Sequence, residues 1–245
     1  MHKSIEELTI ADLTCCLYLP PDYDRKQTHY PVIYINGEVP VTKLLAELKK
    51  MSVPAEFLLL SIKPQNWNDD FTPWTAPAFR NGETAPKGNA DAYIEKLITK
   101  IKPYIDDHYR TKREPEHNIL LGYSLGGLAA LYTLCKTNIF AKTGSLSGSL
   151  WYDGFIDFME NQHFVGENRQ VYLSLGKKEA KSQNARMGQV AECTRRMQFL
   201  LEKEFGKENV TFEWNNGGHF HEIPNRFAKA LRWLLQPNIS GEKLQ

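Results

Sequence analysis

From residue 13 to residue 235, short apolar runs alternate with stretches whose apolar positions recur at three and four. The run at 13–19 reads as an early strand, closed by Pro20-Pro21 and the polar stretch 22–29. PVIYI at 31–35 is continuously apolar up to Asn36-Gly37, which suits a strand covered on both faces. Residues 41–50 have helical spacing, and 57–62 is the next strand. Further on, 89–110 predicts an amphipathic helix that Pro103 kinks or divides. The remainder reads as strand 118–123, helix 125–135, strand 143–146, helix 151–160, strand 170–175, helix 183–205, strand 210–214 and helix 224–235. Such alternation predicts an α/β protein with a mainly parallel central sheet and helices on both faces. Ligands bind beyond the carboxyl ends of the strands in sheets of this kind, so reactive side chains should lie just after strands.

The segment 63–88 breaks the rhythm. It is irregular, holds Pro64, Pro73, Pro77 and Pro86, and interleaves them with Trp67, Phe71, Trp74 and Phe79. Loops of this length are usually functional or disordered, and so many aromatics favour a packed loop beside a site.

Composition narrows the function classes. At 245 residues the chain is read as a single domain, 1–245. Its 30 basic and 29 acidic side chains give a formal net charge of +1, with no basic stripe, so a nucleic-acid partner is not expected. Nothing in the sequence has the length of a membrane span or a signal-peptide core, so the expectation is a cytoplasmic protein with no membrane partner. The four cysteines form no CxxC or Cys/His zinc pattern and read as reduced, mostly buried thiols. No metal site is expected.

The chemistry concentrates around Gly122-Tyr123-Ser124-Leu125-Gly126. An apolar strand runs into this G-x-S-x-G and an Ala/Leu-rich helix runs out of it. A sharp strand-to-helix turn there would strain the serine backbone, need glycine on either side, and set the hydroxyl at a helix N-terminus. Ser124 is therefore the candidate nucleophile; a serine that merely caps the helix is the plainer reading. A serine hydroxyl needs a base. Of seven histidines, His219 in Asn215-Asn216-Gly217-Gly218-His219-Phe220 follows the last strand, where the order serine, acid, histidine places it, with His221 the competitor and His2, His29, His108, His117 and His163 set aside. The acid that orients the imidazole should follow the penultimate strand, where Glu179 is the first carboxylate; Asp153 is the alternative. Backbone N–H groups of Leu125 and of Gly37 or Glu38 are the candidate oxyanion donors. Trp67, Phe71, Trp74, Trp151 and Tyr152 could wall the substrate pocket or simply anchor loops. Lys63 and Arg80 could meet an anionic substrate, with surface solvation the preferred reading.

YPVIYINGE, NDDFTPWTAPA, YIDDHYRT, GYSLGGLAALY, SGSLWYDG, YLSLGKKE and GGHF, in that order, resemble the putative-esterase family of α/β-hydrolases. That family contains enterobactin-type siderophore esterases, S-formylglutathione hydrolase and some bacterial carbohydrate esterases. The likeness spans about 30–235. It is most specific where GYSLGGL is followed by SGSLWYDG, as in the siderophore-esterase branch, whose usual form is S-P-S-L-W-W; Gly148 and Tyr152 depart from it. The resemblance implies an α/β-hydrolase fold without a large cap domain, a Ser124–His219–Glu179 triad, and no metal or organic cofactor. The expected activity is hydrolysis of a small-molecule carboxylic ester, with Trp74, Trp151 and Tyr152 at the substrate. An acyltransferase on the same triad and a non-catalytic ligand-binding homologue are the alternatives, and homo-oligomerisation is left open.

Overall fold

The computed structural model describes residues 4–236. Its core is an eight-stranded sheet in the order β1-β2-β4-β3-β5-β6-β7-β8. The strands are β1 (Ile5–Ile10), β2 (Leu13–Tyr18), β3 (Val32–Asn36), β4 (Leu58–Ile62), β5 (Asn118–Tyr123), β6 (Lys142–Leu146), β7 (Gln170–Gly176) and β8 (Val210–Asn215). The neighbours from β4 through β8 pair in parallel, while β1–β2 and β2–β4 are antiparallel. This is the mainly parallel sheet that the alternation predicts, in the α/β-hydrolase arrangement that the resemblance implies.

Side chains alternate across the central strands into two apolar layers. Val32, Tyr34, Leu120, Val171 and Leu173 face one layer. Ile33, Ile35, Ile119, Leu121 and Tyr172 face the other. The second layer is covered by α1 (Val41–Lys50) and α8 (Ile223–Leu234), through Leu44, Leu48, Phe227, Leu231 and Leu234. The first takes α3 (Ala90–Lys96), α4 (Lys102–His108), α5 (Leu125–Tyr132), α6 (Phe155–Glu160) and α7 (Val190–Phe205). A single turn, α2 (Trp67–Asp70), lies in the long β4–α3 segment.

Three differences from the sequence reading have local causes. Strand β1 was not anticipated, because its half-exposed edge carries Glu6 and Glu7; it is held to β2 by a two-residue connection, Ala11-Asp12, with φ of 49° and 64°. The helix at 89–110 is interrupted near Pro103 as expected, by a π segment, Leu97–Ile101, because the proline supplies no N–H and its ring crowds the carbonyl four residues before it. The helix expected at 183–205 starts only at Val190. Ser182 and Asn184 turn their side chains onto the backbone N–H groups of Asn184, Arg186 and Met187, and these local bonds displace a first helical turn. Likewise, the helix read at 151–160 begins at Phe155, after Gly154 at a φ of 74°. All four cysteines are free, and of these Cys15 is fully buried.

Candidate active site

Strand β5 ends at Tyr123 and α5 begins at Leu125, leaving Ser124 to make the corner at φ 55°, ψ −122°. A left-handed backbone at a serine is strained, and surroundings must hold it there. They do: Ser124 N–H donates to the Leu146 carbonyl at 3.0 Å, and the Ser124 carbonyl accepts from Gly127 and Leu128 at 3.1 Å each. The turn is so tight that a Cβ on Gly122 would lie 2.0 Å from the Gly126 carbonyl oxygen, which is why no other residue fits that position. The hydroxyl of Ser124 lies 3.2 Å from that of Ser149, its hydrogen-bond partner here.

The exits of β7 and β8 bring Glu179 and His219 together. His219 Nδ1 is 2.6 Å from Glu179 Oε2, which leaves the other ring nitrogen for a second partner. The opposite carboxylate oxygen, Oε1, accepts from Ser147 Oγ at 2.7 Å, the Gly176 N–H at 2.7 Å and Arg226 Nη1 at 3.0 Å. Burial by itself would raise the Glu179 pKa, but the hydrogen bonds from His219, Ser147 and Gly176 outweigh it and hold the carboxyl below its ordinary value. Tyr123 donates its hydroxyl to the His219 carbonyl, fixing the loop from behind. Burial pushes that phenol up to about 12, despite the opposing pull of Ser147 and Arg226.

Ser124, Leu125, Glu179 and His219 share one cleft of about 440 Å³. Trp67, Phe79, Trp151, Met187, Val190 and Phe220 supply its apolar wall, and Arg80, Glu83 and Lys178 its charged rim. Phe220 is 80% exposed and meets the His219 ring edge to face at 4.9 Å. Among the described residues, no group of three His, Cys, Asp or Glu side chains is gathered to hold a metal ion.

Several expected site residues take other places. Asp153 is ion-paired with Arg186, and its carbonyl accepts from Trp74 Nε1 at 2.9 Å, so it does not serve the imidazole. Trp74 and Tyr152 are loop anchors, not cleft residues. Trp74 packs on Tyr132, Tyr152, Phe155 and Phe158, while Tyr152 is 2% exposed and donates its hydroxyl to the Trp74 carbonyl. Phe71 is wholly buried against Trp67 and Tyr93. The Gly37 N–H is spent on the Ile62 carbonyl at 2.9 Å, which takes it out of the expected donor pair and leaves Glu38. Lys63 pairs with Glu38 at 3.5 Å, whereas Arg80 does reach the cleft. His221 is exposed beside Glu222, and His2 lies outside the described residues.

Sequence reasoning missed Ser147, Ser149 and, above all, Arg226. The signal for Arg226 was available: it precedes Ala230 and Leu234 by four and eight residues, a charge on the apolar stripe of α8.

The family model described as Putative esterase matches residues 8–232. The chain belongs to this family. Membership supports ester hydrolysis as its chemistry. A Bacillus subtilis protein, YbbA, is 27% identical over 249 residues, covering 98% of this chain and 99% of its own length. An IroE-like serine hydrolase from Shewanella oneidensis shares the fold at a TM-score of 0.76 and 18% identity, over 94% of this chain and 79% of that one. The siderophore hydrolase EstA from Aspergillus nidulans does so at 0.71 and 16%, over 95% and 94%. Among the described residues of this esterase-family chain, no helix is long and apolar enough to cross a membrane.

Proposed function

We propose that the protein is a serine hydrolase that cleaves a small-molecule carboxylic ester through an acyl-enzyme on Ser124. The observation that carries this reading is the pairing of a strained Ser124 corner with a His219–Glu179 hydrogen bond at the wall of the same cleft. His219 Nε2 takes the Ser124 proton as Oγ attacks the ester carbonyl, and the resulting imidazolium is stabilised by ionised Glu179. The N–H groups of Leu125 and Glu38 receive the oxyanion; Leu125 is the first residue of α5, where an N–H has no intrahelical partner. The imidazolium then protonates the leaving alcohol, and a water activated by the same base releases the acid. The Ser124–Ser149 bond must give way to Ser124–His219 when substrate binds, a tightening common at such sites.

The cleft fits one modest acyl or aryl group. Trp151 and its neighbour Phe79, 5.5 Å apart edge to face, are the wall we assign to it. Short p-nitrophenyl esters should be turned over and a fluorophosphonate should label Ser124. Ser124→Ala should lose the label and at least about 10³-fold in kcat/KM. Wild-type protein that neither turns over the panel nor takes the label would refute the reading.

A further inference from the structure

Helix α8 buries a guanidinium at the hub of the strand exits. Arg226 is 1% exposed. Its Nη1 donates to Tyr123 Oη at 2.9 Å, to Glu179 Oε1 at 3.0 Å and to Ser147 Oγ. Its Nη2 donates to the carbonyls of Gly218 at 2.7 Å and Asn216 at 3.3 Å. One planar fork thus ties the residue before Ser124, the loop after β6, the acid after β7 and the loop that carries His219. Arg226 does not itself line the cleft. Burying an ion pair is a poor route to stability, since apolar residues of similar volume usually do as well. Its Nε is left without a partner, so the terminal nitrogens and what they hold decide where the side chain sits.

We propose that Arg226 is a positioning residue that keeps the His219–Glu179 pair in its base-competent state, with Glu179 ionised, the imidazole neutral and the ring aimed at Ser124. The proposal rests on reading that pair as the general base. In the working state the pair carries one negative charge, with the Glu179 side chain buried and the His219 ring part-exposed at the cleft. The fixed positive charge of Arg226, 3.0 Å from the carboxylate, offsets it. Removing that charge makes the pair bind a proton more readily, whichever of the two groups takes it. The other charges near the pair lie at its periphery. Lys177 is turned to Asn216 at 3.2 Å, Lys178 is exposed at the cleft, His221 and Glu222 face each other at 3.6 Å, and Arg80 and Glu83 sit across the cleft on the 63–88 segment. The Tyr123 phenol stays neutral through the relevant range. None of these substitutes for Arg226.

The test compares Arg226→Gln and Arg226→Lys with wild type by two readouts. One is the acid limb of the kcat/KM profile for a p-nitrophenyl ester; the other is the NMR titration of the His219 ring, assigned by difference with His219→Asn. In Arg226→Gln both should move to higher pH by about one unit or more, with KM changed less than about twofold. Arg226→Lys keeps the charge but not the fork, so the titration should stay in place while kcat falls about tenfold. A folded Arg226→Gln protein whose imidazole titrates as in wild type overturns the proposal. Should the glutamine variant fail to fold, wild-type kcat in Arg226→Lys overturns it instead. The ring titration needs no turnover, so an inactive wild type would remove the catalytic reading and still leave the effect of Arg226 on the pair decided.

Discussion

At the scale of single residues, the candidate site holds a buried carboxyl whose partners favour its ionised form. The Glu179 side chain is 6% exposed, and three hydrogen bonds, from His219, Ser147 and the Gly176 N–H, lower its pKa against the upward push of burial. A carboxyl with a folded pKa below the unfolded value of about 4.3 contributes stability that is fully present above that value. The contribution is lost as pH falls through the lower, folded pKa. Glu179→Gln should therefore be less stable than wild type by about 1–3 kcal/mol at pH 7, with the gap narrowing below about pH 4. Urea unfolding across that range reads it directly; a gap that stays constant down to acid pH would mean that Glu179 is not stabilised as a carboxylate. Ser124, His219 and Glu179 were each legible in the sequence because each requirement is local: glycines around a corner, glycines before a histidine, a carboxylate next after a strand. The apolar stripe of α8 marked Arg226 as a buried charge, but its role was not legible, because its partners come from four different strand exits and only the folded sheet brings them to one point.

At the scale of elements, the strands and helices followed from apolar periodicity wherever burial is two-sided. The reading failed where polar side chains compete for the backbone, as at Ser182 and Asn184, or where an edge strand is charged, as in β1. Aromatic residues were the harder case. Composition could say that the 63–88 segment packs, but not which rings face inward and which face the cleft. Trp74 packs among four rings and its indole N–H is satisfied by Asp153, whereas Trp151 opens onto the cleft beside Phe79. The two tryptophans should therefore fail differently. Trp74→Ala should cost about 3 kcal/mol in unfolding free energy, the low end for truncating a packed aromatic. Trp151→Ala should leave stability within about 1 kcal/mol of wild type and raise KM for aryl esters several-fold. Melting curves and steady-state kinetics on both variants check this, and equal destabilisation with unchanged KM would return Trp151 to the role of loop anchor.

At the scale of the molecule, the parallel order β4-β3-β5-β6-β7-β8 sends the carboxyl ends of these strands to one edge, so Ser124, Ser147, Glu179 and His219 meet although they are far apart in the chain. The same arrangement separates local from global electrostatics. Acidic and basic side chains nearly cancel, 29 against 30, so the molecule as a whole has little charge with which to steer a substrate. At the cleft rim the charges open to solvent are those of Arg80, Glu83 and Lys178, within a Debye length of a bound ester. A neutral p-nitrophenyl ester should thus show kcat/KM constant within about twofold as salt rises from about 20 mM to about 300 mM. An ester carrying a carboxylate on its acyl chain should lose affinity over the same range, through KM and not kcat, because screening weakens its contact with Arg80 and Lys178 and leaves the buried Glu179–Arg226 pair untouched. Arg80→Gln should remove most of that salt dependence. If the neutral ester proves as salt-sensitive as the anionic one, screening must act on the His219–Glu179 pair itself, and the separation between a screened rim and an enclosed hub would be lost.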